Sequence, residues 1–171
     1  MSGWLAARVI GTFLVLIMVF FFILTWDPIL KVVDIGAALA QLSAWMSYGV
    51  LKVIGAIGGF PVHKMGTIMG SGNFEVDVAP ACSGAVPTSI YLAAVFAYPT
   101  SWRARGIGTA IGIAVIQLVN VVRVSALFLV GLFFHEIFHD THVYVAQALV
   151  VCVAVALWLY WATRFADVPA H

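Results

Sequence analysis

The sequence predicts an all-α integral membrane protein. The expected architecture is four transmembrane helices, or five if residues 36–59 also cross, with an amphipathic interfacial helix and a short extracytoplasmic β-hairpin. Three observations carry this. First, the 171 residues are 64% hydrophobic and only 9% charged, against roughly 25% charged in a soluble domain. Second, several apolar runs reach the ~18 residues that mark a membrane span. Third, residues 62–79 break the apolar pattern around Gly70 to Asn73, and Phe74 to Val78 alternates with a period of two. The chain reads as one polytopic domain over 1–171, without repeats or low-complexity segments. Its formal net charge of +1 offers no basic patch for nucleic acid. The two cysteines, Cys82 and Cys152, make neither a disulfide framework nor a cysteine-rich metal site.

Trp4 to Trp26 is almost wholly apolar, with Arg8 near its start. It is too long for a signal-peptide core and no small-residue cleavage pattern follows, so it is expected to be a retained first span. Asp27-Pro28 ends it. Gly36 to Phe60 is apolar enough to span, yet Lys31, Asp34, Gln41, Ser43, Ser47 and Lys52 recur through the region. That recurrence favours an amphipathic helix lying at the interface. Gly58-Gly59 and Pro61 break it. Val62 to Ile68 and Phe74 to Val78 then flank Gly70-Ser71-Gly72-Asn73, a hairpin pattern. Open strand edges are not tolerated in hydrocarbon, so the hairpin belongs in water or against protein. Ser83 to Tyr98 is the next span, and Pro99 to Arg105 a short basic turn with an interfacial Trp102. Ile107 to Phe134 is a long span containing Gln117, Asn120 and Arg123, and Val143 to Trp161 is the last, ending at Arg164.

Arg103, Arg105 and Arg164 lie on one side of the last three spans, and the positive-inside rule makes that side cytoplasmic. The hairpin, Cys82 and the loop 135–142 then share the opposite face, whichever span count holds.

Three candidates fall on that outer face. Cys82, in Pro80-Ala81-Cys82-Ser83-Gly84, sits where hairpin meets span. The start of a helix presents unpaired N–H groups and a positive dipole end, which favour thiolate. A small buried thiol is the plain alternative, and Cys152, in mid-span, is read that way. Arg123 lies about 11 residues, or roughly 16 Å, inside the outer end of its span. An arginine at such depth costs at least ~2.5 kcal/mol unless it lines a cavity or pairs with an acid. Asn120 is one turn earlier on the same face and can orient the guanidinium. The loop supplies His135, His139 and His142. Loop histidines are often merely solvated, but His142 directly precedes the last span and can point back toward Cys82.

His135-Glu136-Ile137-Phe138-His139 also matches the H-E-x-x-H zinc pattern, in which a helix brings two imidazoles to one face with the Glu as general base. The fit is poor. Were 135–142 helical, His135 and His142 would stand about 10.5 Å apart along the axis. No cysteine or carboxylate cluster supplies a further ligand, and Asp140-Thr141 reads as a turn or cap. Zinc would also leave Cys82 and Arg123 without a role. No metal and no organic cofactor is expected.

Three segments together resemble the exosortase/archaeosortase family. Phe74 to Gly84, FEVDVAPACSG, is similar to its V-x-x-x-C-S/N-G segment. Asn120-Val121-Val122-Arg123 is similar to its N-x-x-R. Phe138 to Gln147, FHDTHVYVAQ, is similar to its F-D-x-x-H-x-y-x-x-Q. The short chain and the last motif look closest to the exosortase H subgroup, which tends to have Cys-Asn-Gly where this chain has Cys82-Ser83-Gly84. His139 is a second departure.

The resemblance implies a membrane cysteine protease/transpeptidase of the bacterial inner membrane, with its active site facing outward. Its partners would be the lipid bilayer and exported proteins carrying a C-terminal, PEP-CTERM-like sorting signal: a short motif, a transmembrane helix and a basic tail. The family's catalytic Cys, Arg and His fall on Cys82, Arg123 and His142, with Asn120, Ser83 and Gly84 in support. Two other readings compete. One is an intramembrane zinc protease using His135, Glu136 and His139. The other is a non-enzymatic transporter or assembly subunit with Arg123 as its ligand site; the spans lack the inverted repeat that transporters favour.

Overall fold

The computed structural model describes residues 3–31, 34–138 and 146–166. The protein is mostly helical, with one small antiparallel sheet, as the composition requires. The described elements are α1 (Gly3–Thr25), α2 (Asp27–Leu30), α3 (Ile35–Gly58), β1 (His63–Met65), β2 (Ile68–Ser71), β3 (Phe74–Asp77), α4 (Ala85–Ala97), α5 (Trp102–Phe133) and α6 (Ala146–Arg164). Short 3-10 turns occupy Pro80–Cys82 and His135–Ile137. Among the described residues three helices are long and apolar enough to cross a membrane: α1, α3 and α5. The 13 residues of α4 span only about 20 Å.

Local sequence explains where the helices begin and end. In α1 the Thr12 and Thr25 hydroxyls donate back to the carbonyls of Arg8 (2.9 Å) and Phe21 (2.7 Å). Both are thereby satisfied inside an apolar helix, as lipid demands. Pro87 falls in the first turn of α4, where its missing N–H would have had no intrahelical partner. Pro99 follows the end of that helix. Ser101 caps α5, its Oγ accepting from the Ala104 N–H at 3.3 Å. Because of that cap, Trp102 to Arg105 form the first turn of α5 rather than the basic turn expected from the sequence. Arg105 stacks on Trp102 with its guanidinium carbon 4.9 Å from the ring centroid, and donates to the Tyr98 carbonyl at 3.2 Å.

The sheet departs from the expected single hairpin. It is a three-stranded meander, β1-β2-β3, with every pairing antiparallel. Its two-residue turns are Gly66-Thr67 and Gly72-Asn73, between the pairs Met65↔Ile68 and Ser71↔Phe74. Each turn has positive φ at its glycine only (64° and 59°), the pattern of a type II′ turn. Gly70, expected in the turn, lies in β2 opposite both His63 and Glu75. A side chain there would collide with the His63 ring. The glycine lets His63 Nε2 reach across to Glu75 Oε1 at 3.5 Å. Glycines gathered in one stretch served packing as well as turning.

The chain forms two compact units: residues 1–34, 86–116 and 152–171, and residues 35–85 and 117–151. In the first, the N-terminal half of α5 presents glycines to aromatic rings. Gly112 lies flush against Tyr91, whose hydroxyl donates to the Gly108 carbonyl at 3.0 Å. Gly108 lies against Trp161, whose indole N–H donates to the Ala104 carbonyl at 2.9 Å. Small residues that admit a close neighbour are how helices pack where no hydrophobic effect drives them.

In the second unit, α3 buries one stripe of mostly small residues: Gly36, Ala40, Ser43, Ala44, Ser47, Leu51 and Gly55. Its core joins Ala40, Ala44 and Leu51 to Met69 and Val78 of the sheet region and to Val124 and Phe128 of α5. Ser43 and Ser47, whose recurrence suggested an interfacial helix, thus face protein, whereas Gln41 and Lys52 are exposed.

Candidate active site

The second unit also holds the cysteine turn. After β3 the chain enters the 3-10 turn Pro80–Cys82, closed by bonds from the Cys82 N–H to Ala79 O (2.8 Å) and from the Ser83 N–H to Pro80 O (3.2 Å). Cys82 is a free thiol and half-buried. It stands just before α4, whose first residue, Ala85, donates its N–H to Ser83 Oγ at 3.2 Å. Between them Gly84 adopts φ +78°, and a Cβ there would come within 3.1 Å of Gln117 Nε2 and 3.2 Å of Asn120 Cγ. The Cys-Ser-Gly order therefore has physical content: the serine hydroxyl holds the first N–H of the helix, and the glycine permits both the left-handed backbone and the approach of α5. Gly84→Ala should cost about 1–2 kcal/mol from the backbone alone and press on Asn120. A lower melting temperature in detergent is the expected result.

Asn120 connects the site. It is wholly buried. Its Nδ2 donates to the Cys82 carbonyl at 2.9 Å and to Ser43 Oγ at 3.2 Å. Its Oδ1 accepts from Arg123 Nη1 at 3.3 Å. One amide thus ties the cysteine turn, α3 and the buried guanidinium together. Arg123 is 6% exposed, and its Nε is buried without a hydrogen-bond partner. Among the described residues no carboxylate pairs with it.

The family model for transmembrane exosortases matches residues 1–162. The chain belongs to the transmembrane exosortase family. No curated protein and no solved structure matches it. Family membership makes it a membrane enzyme of the exosortase type. In this exosortase hydrogen bonds through Ser43 and Asn120 join the backbone of Cys82 and Ser83 to Arg123, and Gly84 lies against Asn120. His142 and His139 lie outside the described residues. Cys152 is exposed on α6.

His135 and Glu136 are exposed, on a 3-10 turn that follows the end of α5 at Phe133. The His135 ring meets Phe74 edge-on at 6.2 Å, and Phe74 also packs against Phe128 and Phe138. Gly131 makes room for Phe74, since any side chain there would overlap its ring. A cleft of about 480 Å³ opens beside this cluster, between the Gly72-Asn73 turn and the end of α5. Among the described residues no three His, Cys, Asp or Glu side chains converge as a metal site would require.

Sequence reasoning missed the contribution of α3. Ser43 and Ser47 bond to Ser83 O (3.5 Å) and Val121 O (3.3 Å). The available signal was their four-residue spacing on the same stripe as Gly36, Ala40 and Ala44.

Proposed function

We propose that this exosortase is a membrane cysteine protease/transpeptidase that cleaves C-terminal sorting signals of exported proteins through a thioester. The observation that carries the proposal is the Asn120 amide, which links the backbone of Cys82 to the guanidinium of Arg123 in a buried setting. His142 takes the thiol proton, and Cys82 Sγ attacks the scissile carbonyl carbon, forming an S–C bond and a tetrahedral oxyanion. Arg123, whose charge no acid neutralises among the described residues, stabilises that oxyanion in a low-dielectric site. The C–N bond then breaks, and the leaving amine takes a proton from His142, since imidazole exchanges protons near neutral pH. Attack on the thioester by an acceptor amine, or by water, frees the enzyme.

Arg103, Arg105 and Arg164 favour a cytoplasmic location for the start of α5 and the end of α6. Cys82 and the sheet are then extracytoplasmic, where a substrate's transmembrane helix would deliver its preceding motif. The inward-facing serines and the length of α3 support counting it as a span, giving five crossings. β3 is an edge strand leading into the cysteine turn, so an extended motif added along it would run toward the thiol.

The test uses purified protein in detergent and a tagged substrate with a sorting tail, quenched in acid during the first turnover. Mass spectrometry should find the substrate's N-terminal fragment on Cys82, and neutral hydroxylamine should release it. Cleavage without such an adduct under single-turnover conditions would sink the mechanism.

A further inference from the structure

We infer that Ser43 is a positioning residue for the Cys82–Arg123 pair, acting through Asn120. The inference rests on the reading of those two residues as the reacting groups. It follows from the direction in which each hydrogen bond must run. The backbone carbonyls of Cys82 and Ser83 can only accept. Ser43 directs its single hydroxyl proton to the Ser83 carbonyl, a long contact at 3.5 Å. Its oxygen is left to accept, and it does so from Asn120 Nδ2 at 3.2 Å. The Cys82 carbonyl, at 2.9 Å, claims the other proton of the same nitrogen. Both Nδ2 protons are then committed, and Oδ1 has one direction left, toward Arg123 Nη1 at 3.3 Å.

An asparagine amide has two rotamers that differ only in which end carries the donor. Here two acceptors from separate parts of the chain select one of them. Ser43 is 1% exposed and Asn120 is 0% exposed, so water does not offer either group a substitute partner. Ser43 also reaches the cysteine turn directly through Ser83, so α3 fixes both the turn and the amide. Without the hydroxyl, Asn120 keeps one anchor in place of two. Its amide can swing, and with it the guanidinium it holds.

Ser43→Ala suits the test because Ala40 and Ala44 already occupy the same buried stripe, so alanine fits the packing. It is expected to lower kcat about tenfold or more at an unchanged KM, since small misplacements of a catalytic group are costly. Ser43→Thr keeps the hydroxyl and should recover most of that loss. A double-mutant cycle separates positioning from packing. In an Asn120→Ala background Ser43→Ala should cost clearly less than in the wild type, because only its long contact to the Ser83 carbonyl remains to be lost. Equal losses in both backgrounds would overturn the inference, as would Ser43→Ala at wild-type kcat, or a threonine variant no better than alanine at an unchanged melting temperature. Cys82→Ala run alongside keeps the two failures apart. An active Cys82→Ala removes the reading beneath. An inactive Cys82→Ala with an indifferent Ser43→Ala removes only the role of Ser43.

Discussion

Cys82→Ala is expected to lose at least ~1,000-fold in cleavage rate, because a nucleophile has no substitute when its neighbours are built around it. Glu136→Gln, in the same assay, should remain within about twofold of wild type, the size of effect expected of an exposed side chain away from the chemistry. The pair of variants is informative because Glu136 is the general base of the competing zinc reading. That reading needs a regular α-helix, in which residues four apart share a face. His135 and Glu136 instead lie in a 3-10 turn, where the residues that eclipse are three apart. Glu136 is also exposed, whereas Cys82 is half-buried and bonded through its carbonyl to Asn120. Phenanthroline should leave the rate unchanged. Loss with Glu136→Gln or with the chelator, combined with retention in Cys82→Ala, would restore the metal.

Much of this protein was legible because apolar helices announce themselves by composition. The runs that became α1, α4, α5 and α6 needed only length and apolarity. Cys82, Asn120 and Arg123 stood out because a thiol beside glycine and a deep arginine are each costly or unusual in an apolar chain. Ser43 was not legible as a site residue. A serine in an apolar helix reads the same whether it faces headgroups or a neighbouring helix, and its partners Ser83 and Asn120 are 40 and 77 residues away. Periodicity carries no information over such distances. The sheet illustrates a different loss. Gly66, Gly70 and Gly72 look alike in sequence, yet two make turns and one admits a histidine ring.

Arg123 offers the second large effect, and its sign on stability is what distinguishes function from architecture. Arg123→Ala should lower kcat by about 100- to 1,000-fold, the usual cost of removing an oxyanion donor. Arg123→Lys keeps the charge but loses the planar fork through which Nη1 meets Asn120 Oδ1, so it should recover little of that loss. Stability should move the other way. A buried cation with an unpartnered Nε, and with no acid beside it among the described residues, is a burden on the folded state. Arg123→Met, with a similar stem and no charge, leaves Asn120 Oδ1 without its donor but removes the larger cost of the buried charge, so it should melt at the wild-type temperature or above it while remaining inactive. Asn120→Ala is the contrast. It strips the Cys82 carbonyl and Ser43 of their shared donor, and a buried polar group left unpaired costs about 1–3 kcal/mol, so its melting temperature should fall. A drop in Arg123→Met as large as that in Asn120→Ala would make the arginine a structural member of the network. An inactive Arg123→Met that is no less stable than wild type would mean that the charge is retained for the transition state, at the expense of the fold.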